Sequence, residues 1–205
     1  AGKKILRFHF ARMLHYEPGT RAGEDSESLH KMRVATRRMR AAFGVLKPHF
    51  DNTVTKPYRQ TLRETASALG EVRDLDVFRI KLEHDLEGLP PDKQLNLDAI
   101  LPLWQQERTR ARTALLQFLD SQAYQGFVQR FNRFLNRPKE GIAQTDSLLP
   151  APNKVHHLVP IVIYERMGQV QAYDGMLGQA SMEQQHKLRI KVKRLRYAIE
   201  FVGDI

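Results

Sequence analysis

The sequence predicts an all-α protein made of two related antiparallel helical bundles that face each other. Three observations support this class. Apolar residues recur at helical spacing along almost the whole chain, and no segment shows a convincing strand alternation. In addition, one basic helix occurs twice, as LHKMRVATRRMRAA at 29–42 and as QHKLRIKVKRLRYA at 185–198. Helices joined by short loops are typical of antiparallel bundles.

Capping and turn residues delimit the helices of the first half, which we place at 1–136. Asp25 or Ser26 can cap the first basic helix, and Asp74 can cap a short helix that follows a break at Gly70. Pro102 either starts the main part of the long helix or kinks it. The predicted helices cover about 3–16 before Pro18-Gly19, the basic helix to near Lys47-Pro48, 54–69, Asp74 to about Glu87 before Gly88 and Pro90-Pro91, 93–119, and 122–136 before Arg137-Pro138.

The second half is predicted to follow a connection rich in Pro, Gly and Ser at 137–152. It comprises a helix over 153–171 and the second basic helix, which Ser181 and Gln184 open as a capping box. That second basic helix ends close to the last residue of the sequence. We therefore expect a second half at 153–205 that is incomplete at its C-terminus, within a single domain that covers the whole chain.

Positive charge is concentrated in the two copies of the basic helix. The chain has 33 Lys and Arg against 23 Asp and Glu, which gives a formal net charge of +10. Segments 29–50 and 185–199 each hold six Lys or Arg and no acid, so the rest of the chain is close to neutral. A localised excess of one sign predicts a polyanionic partner better than the overall charge does.

The composition also excludes several classes of protein. The chain has no cysteine, which rules out disulfides, thiolate metal sites and cysteine nucleophiles. No apolar run is long enough for a membrane helix, and no signal peptide is visible. A cytosolic location is therefore the default expectation, with no membrane partner.

On a helical wheel each basic helix has an apolar face and a basic stripe, whose four cationic or protonatable residues span about 80°. The stripe residues are His30, Arg33, Arg37 and Arg40 in the first helix and His186, Arg189, Lys193, Arg196 and Tyr197 in the second, with Arg38 and Arg194 flanking them. The apolar face comprises Met32, Ala35, Met39, Ala42, Phe43 and Leu46 in the first helix and Leu188, Val192, Leu195 and Ile199 in the second. We expect both apolar faces to be buried.

The alternative is that each stripe is an ordinary solvated face. A solvated face normally mixes signs, because Glu and Lys one turn apart stabilise a helix whereas like charges repel. No acid relieves either stripe in the sequence, so the pattern favours an external anion. Guanidinium groups bind phosphate oxygens in pairs, which favours a phosphate ligand. We expect the two histidines to donate hydrogen bonds to phosphate rather than act as catalytic bases.

Lys56, Arg59 and Arg63 have the spacing of a third stripe on the next helix. Ion pairs with Glu64 and Glu71 would explain the same residues without a ligand. Both interpretations are open at this point.

The segment LGEVRDLDVF at 69–78 also places charged residues together. Asp74 is either a helix cap, or it acts with Asp76 to hold basic side chains in place. In the second case Arg73 would face the ligand.

Three motifs, in this order, resemble the CHAD family, the conserved histidine α-helical domain: HKMRVATRRMR at 30–40, LGEVRDLDV at 69–77 and HKLRIKVKRLRY at 186–197. Family members consist of two helical bundles around a basic central surface, and most continue with further helices after the second histidine motif. The resemblance implies binding of inorganic polyphosphate and, in some members, localisation to polyphosphate granules. The ligands that it implies are His30, Arg33, Arg37, Arg38, Arg40, Arg73, His186, Arg189, Lys193, Arg194, Arg196 and Tyr197, with Arg59 and Arg63 added from their position.

Two rival functions follow from the same charges. A nucleic-acid-binding protein would interleave aromatic residues with its cations or place Asn and Gln for base edges, and neither stripe does so. An enzyme of phosphate metabolism would hold a metal with carboxylates, and only Asp74 and Asp76 lie near the basic motifs. CHAD domains often accompany a triphosphate tunnel metalloenzyme, whose Glu-x-Glu-x-Lys motif this chain lacks. We therefore expect a binding protein without catalytic residues, metal or cofactor.

Overall fold

The predicted all-α class is confirmed. The computed structural model describes residues 2–87, 100–143 and 154–203, and these form seven α-helices. They are α1 (Gly2–Ala22), α2 (Ser26–Val45), α3 (Asn52–Glu87), α4 (Ile100–Asp120), α5 (Gln122–Asn136), α6 (Val155–Gln171) and α7 (Met182–Val202). Among them, none combines the length and the apolar character that a membrane-spanning helix needs.

The caps predicted for the two basic helices are confirmed. Asp25 caps α2, since its carboxylate accepts hydrogen bonds from the backbone N–H of Glu27 at 2.7 Å and of Ser28 at 3.2 Å. Ser181 and Gln184 form the expected capping box at the start of α7. Each cap satisfies backbone donors that have no partner inside the helix.

The expected end of α1 before Pro18 is wrong. A proline inside a helix removes one hydrogen bond and costs about 3 kcal/mol. The helix nevertheless continues to Ala22, and the turn after the proline is anchored by Thr20, which is 1% exposed. The helix ends at Gly23, whose φ of 71° favours glycine and whose N–H donates to the carbonyl of Gly19 at 2.9 Å.

The expected break at Gly70 and the cap at Asp74 are also wrong, because α3 is one helix of 36 residues. A glycine inside a helix costs about 1 kcal/mol relative to alanine, which is too little to break a well-packed helix. Leu69 and Val72 are buried on either side of Gly70 and hold this part of α3 against the core. The start of α3 is capped by Asp51, which accepts from the N–H of Thr53 at 2.7 Å.

The remaining helix predictions agree with the structure within the residues that it describes. Pro102 lies in the first turn of α4, α5 matches its predicted bounds, and α6 continues through Pro160. The predicted start of the long helix at 93–99 and its preceding Gly88 and Pro90-Pro91 lie outside the described residues. The same holds for most of the predicted connection, at 144–152.

A core rich in aromatic side chains joins the helices. Phe10 of α1 meets Phe131 of α5 edge to face at 5.1 Å between ring centroids, and Phe43 of α2 lies 6.1 Å from the same ring. Four residues of the last two helices belong to the same buried cluster, namely Leu158, Val159, Ala198 and Phe201. One continuous core therefore links α6 and α7 to the first five helices, and α7 packs against α2.

Several cations outside the two basic helices hold the scaffold together. The Lys3 ammonium donates to the Phe134 carbonyl at 2.8 Å, and Arg7 donates to the Leu135 carbonyl at 2.8 Å, both at the end of α5. Arg112 donates to the carbonyl of Arg21 at the end of α1, at 2.6 Å. A cation at a helix C-terminus satisfies free carbonyls and interacts favourably with the helix dipole. These three side chains therefore stabilise the packing of the helices.

The expected burial of the apolar faces is confirmed for α2 and only partly correct for α7. All six predicted face residues of α2 are buried. On α7, Leu188 and Leu195 are half-buried, whereas Val192 is 44% exposed and Ile199 is 53% exposed. The most buried residues of α7 are Ala198 and Phe201, because the helix contacts α2 and α6 through a different side from the one predicted.

Candidate functional site

The two basic helices meet where α7 packs against α2. Arg37 of α2 and Glu200 of α7 form an ion pair, with 3.2 Å between Arg37 Nη2 and Glu200 Oε2. The Cζ of Arg37 also lies 5.1 Å from the ring centroid of Tyr197 on α7. Two stripes that are distant in the sequence therefore adjoin on one surface.

Tyr197 is in contact with two guanidinium groups. The Cζ atoms of Arg37 and Arg196 each lie 5.1 Å from its ring centroid. The attraction between a cation and an aromatic ring is worth about 0.5–1 kcal/mol at an exposed site and more where water is excluded. The half-buried ring thereby holds one cation from each basic helix in a defined position.

The expectation that no acid relieves either stripe is wrong. Glu200 lies one residue beyond the acid-free segment and bridges both helices. Besides Arg37 on α2, it contacts Arg196 on its own helix, with 3.3 Å between Arg196 Nε and Glu200 Oε1. These side chains line a crevice too narrow to hold water, formed by Arg37, Arg38, Ala41, Tyr197, Glu200 and Phe201.

A second group of cations lies between α2 and α3. Arg33 crosses Gly70, since its Nε lies 3.9 Å from the position that a Cβ on Gly70 would occupy. Loss of water around the guanidinium, followed by the charges of Arg63 and Arg33, lowers the pKa of Arg40, while Tyr197 opposes the shift. Because Arg40 keeps exposed surface, the repulsion among these cations is the more informative cause. An anion placed among them would relieve that repulsion.

The third stripe, on α3, has uncharged partners. Arg59 donates to the side-chain oxygen of Asn52, and Arg63 donates from Nη1 to Gln60 Oε1 at 3.1 Å. Glu64, which was considered as an ion-pair partner, instead accepts from Gln60 at 2.8 Å. Amide partners leave the formal charges of both arginines in place. This favours the interpretation of Arg59 and Arg63 as an extension of the basic surface.

The rest of the stripe on α7 faces solvent. His186, Arg189, Lys193 and Arg194 are exposed, whereas His30 and Arg38 on α2 are half-buried. The backbone carbonyl of Arg194 accepts from Nη1 of Arg166 on α6 at 2.7 Å. Burial of Arg166 and the charge of Arg194 lower the pKa of Arg166, while Glu165 raises it. Arg166 thus connects α6 to the backbone of α7.

Asp76 fits one of the two interpretations of the motif at 69–78. It is 8% exposed and accepts from Nε of Arg108 on α4 at 2.7 Å, so it holds a basic side chain in place. Asp74 is exposed and Arg73 is half-buried on the same helix. The motif therefore anchors α3 to α4 through a nearly buried ion pair.

The sequence did not reveal three residues that matter for the site. Glu200 lies four residues after Arg196, a spacing that is a signal for an ion pair within the helix. Its contact with Arg37, and the contacts of Arg108 and Arg166, join different helices. Such contacts depend on how the helices are oriented and leave no periodic signal in the sequence.

The described residues offer no ready metal site. Across residues 2–87, 100–143 and 154–203, no group of three or more His, Asp or Glu side chains is placed to hold a metal ion. One of the two carboxylates considered for this role, Asp76, is bound to Arg108. What the surface does offer is a set of fixed hydrogen-bond donors with positive charge.

Comparisons with known proteins point to one family. The family model described as the CHAD domain matches residues 4–205. A crystal structure of the CHAD domain from the plant Ricinus communis is similar, with a TM-score of 0.72 and 23% sequence identity, over 99% of this chain and 64% of that one. PptA from Streptomyces chartreusis is similar with a TM-score of 0.69 and 17% identity, over 98% of this chain and 74% of that one. No curated protein matches the chain.

This chain spans less than two thirds of the length of the plant protein in the similar crystal structure. At such low identity the two structural likenesses concern the fold alone.

Proposed function

The chain belongs to the CHAD domain family, which is associated with polyphosphate and triphosphate binding, and we propose that it binds inorganic polyphosphate without acting as an enzyme. The ligand would lie along the basic surface that α2, α3 and α7 share. The protein would be cytoplasmic and could associate with polyphosphate granules. Colocalisation of a fluorescent fusion with granules in cells that accumulate polyphosphate tests this last part.

The observation that carries the proposal is the grouping of cations from three helices. Loss of water lowers the pKa of Arg40, and the nearby charges of Arg63 on α3 and Arg33 on α2 lower it further. The exposed cations of α7 continue the same charge beyond the crevice. A surface of repelling charges is stabilised when a polyanion binds.

Polyphosphate fits this surface better than a nucleic acid does. Proteins that bind single strands stack bases on exposed aromatic rings between their cations. The one aromatic residue of the stripes, Tyr197, is already in contact with Arg37 and Arg196. Its ring is therefore occupied by the protein's own guanidinium groups. A ligand without bases needs no such ring.

The proposed mechanism requires charge and geometry only. Each phosphate would accept hydrogen bonds from one or two guanidinium or ammonium groups, which are strengthened by the charges on both partners. Release of counterions from the polyanion would supply much of the affinity, so binding should weaken steeply with salt. Binding of this kind requires no group that activates water, so we expect the protein to bind polyphosphate without hydrolysing it.

A competition assay tests the proposal. Labelled long-chain polyphosphate is bound to the protein, and unlabelled polyphosphate, single-stranded DNA and double-stranded DNA compete at equal phosphate concentration. We expect polyphosphate to displace the label at a much lower concentration than either DNA. Equal displacement by DNA would favour the nucleic-acid alternative, and release of inorganic phosphate from polyphosphate with Mg²⁺ would contradict the absence of catalysis.

A further inference from the structure

Glu200 occupies a position that a phosphate group could take. It lies between Arg37 of α2 and Arg196 of α7, at 3.2 Å and 3.3 Å from their nitrogen atoms. Its carboxylate is the acid that the sequence pattern did not anticipate within the basic surface. A carboxylate and a phosphate offer the same kind of oxygen acceptors to a guanidinium group.

We infer that Glu200 is an internal counter-ion that a short polyphosphate must displace, and that it thereby makes the site selective for long chains over short ones. This inference rests on the proposed function. In the free protein Glu200 pairs with two of the cations that the ligand would use, and its single negative charge offsets one of theirs. When a short ligand binds, Arg37 and Arg196 exchange the carboxylate for phosphate.

The contacts of Glu200 are weak enough to be exchanged. The side chains of Arg37, Arg196 and Glu200 are 26%, 57% and 32% exposed, and ion pairs with that much solvent are individually weak. One donor of Arg37 also remains unused: its buried Nε has no hydrogen-bond partner within the described part of the chain. A small rotation of the guanidinium toward a phosphate would give this donor a partner.

Tyr197 would keep the two arginines in place during the exchange. Its ring contacts both guanidinium groups at 5.1 Å, and these contacts do not involve the carboxylate. When Glu200 turns away, Arg37 and Arg196 would therefore remain close to each other. They would not need to be ordered again at the moment of binding, which limits the entropy lost.

The selectivity for length follows from the number of contacts that each ligand can make. A short ligand such as tripolyphosphate can engage only the cations near the crevice and must displace Glu200 to do so. A long chain also reaches the exposed cations of α7 and those of α3, and can remain bound while Glu200 keeps its partners. The carboxylate therefore disfavours short ligands more than long ones.

The test compares Glu200→Gln with the wild-type chain and with Glu183→Gln. Glutamine keeps a hydrogen-bonding group of the same size without the charge. Glu183 is a matched control, because it is also an acid on α7 but pairs with Lys187 at 2.6 Å, away from the stripe. Affinities for tripolyphosphate and for long-chain polyphosphate are measured by titration calorimetry at several salt concentrations, and thermal melting reports the fold.

We expect Glu200→Gln to tighten tripolyphosphate binding about fivefold, which corresponds to one partly exposed ion pair. Long-chain affinity should change by less than about twofold at the same salt. The dependence of log affinity on log salt for tripolyphosphate should become steeper, as for one more cation that the ligand neutralises. A purely structural role for Glu200 would leave that slope unchanged.

Two outcomes would overturn the inference. One is a Glu200→Gln protein that behaves like Glu183→Gln, and the other is weaker tripolyphosphate binding with an unchanged slope. If Glu200→Gln does not fold, Glu200→Asp replaces it, since the shorter side chain keeps the charge but cannot reach both arginines. The aspartate variant should then gain affinity for tripolyphosphate, and no gain would count against the inference. Absence of polyphosphate binding by the wild-type chain would instead refute the proposed function itself.

Discussion

The helices α2 and α7 carry the same sequence pattern in different surroundings. Position 43 on α2 corresponds to position 199 on α7 in the repeat. Phe43 is 2% exposed, whereas Ile199 is 53% exposed. The reason is that α2 packs against α1, α3 and α7, while the described helices that pack against α7 are α6 and α2. A shared pattern thus predicts which residues share a face, but the neighbouring helices decide whether that face is buried.

The basic stripes differ in the same way. On α2 the stripe residues His30, Arg33 and Arg37 are half-buried, and Arg37 is already paired with Glu200. On α7 most of the stripe faces solvent, including Lys193, which corresponds to Arg37 in the repeat. We therefore expect α2 to contribute fixed groups near the crevice and α7 to contribute mobile groups that extend the surface.

The largest expected difference concerns stability. Phe43→Ala should lower the free energy of unfolding by about 4 kcal/mol, because it leaves a cavity in the aromatic core. Ile199→Ala should lower it by less than about 1 kcal/mol, since the side chain is more than half exposed. Urea unfolding followed by circular dichroism measures both. Equal losses would show that the apolar face of α7 is covered after all.

The support that α2 receives from α3 depends in turn on the contact of α3 with α4. Asp76→Asn should lower the free energy of unfolding by about 2 kcal/mol, because Arg108 loses its charged hydrogen-bond partner. The neighbouring exposed acid provides the control, and Asp74→Asn should change stability by less than about 0.5 kcal/mol. If both variants unfold at the same urea concentration, the ion pair does not stabilise the fold.

Corresponding cations of the two helices should differ in what they do. Lys193→Gln should weaken polyphosphate binding about fivefold at low salt and leave the melting temperature unchanged. Arg37→Gln should weaken binding less, because Glu200 already neutralises this cation, and should lower the melting temperature slightly. Calorimetric titration and thermal melting on the same samples separate the two effects. The opposite order of affinities would show that Arg37 is free to bind the ligand.

The smallest expected effect belongs to Tyr197. Tyr197→Phe should bind polyphosphate as well as the wild-type chain, because the ring contacts with Arg37 and Arg196 remain. Tyr197→Ala should weaken binding about threefold through the loss of those contacts. If the phenylalanine variant binds as weakly as the alanine variant, the hydroxyl group contacts the ligand, and the ring contacts with Arg37 and Arg196 do not explain the loss.

Local signals in the sequence were sufficient for much of the fold. The cap at Asp25, the capping box at Ser181 and the bounds of α5 depend on residues close in sequence, and all three are confirmed. Pro18 and Gly70 led to wrong predictions, because the outcome at these positions depends on contacts with other helices. Each weakens a helix locally, but burial of side chains along the rest of the helix outweighs that effect, and burial depends on the partner helices.

The site was likewise predictable only where its features depend on the geometry of a single helix. The wheel identified the residues that share a stripe, since that depends only on helical geometry. It could not show which side of α7 meets α2, so the expected burial of Val192 and Ile199 was wrong. The bridge formed by Glu200 and the support given to Arg108 by Asp76 likewise join separate helices.

The central claim is that α2 and α7 form one binding surface. Calorimetric titration with a polyphosphate long enough to reach from the crevice to the exposed cations of α7 tests it directly, using the wild-type chain, Arg33→Gln/Arg40→Gln on α2 and Arg189→Gln/Lys193→Gln on α7. We predict a single binding event with one ligand per chain, which either double substitution weakens without changing the stoichiometry. Two independent events, each lost with one pair of substitutions, would contradict the claim.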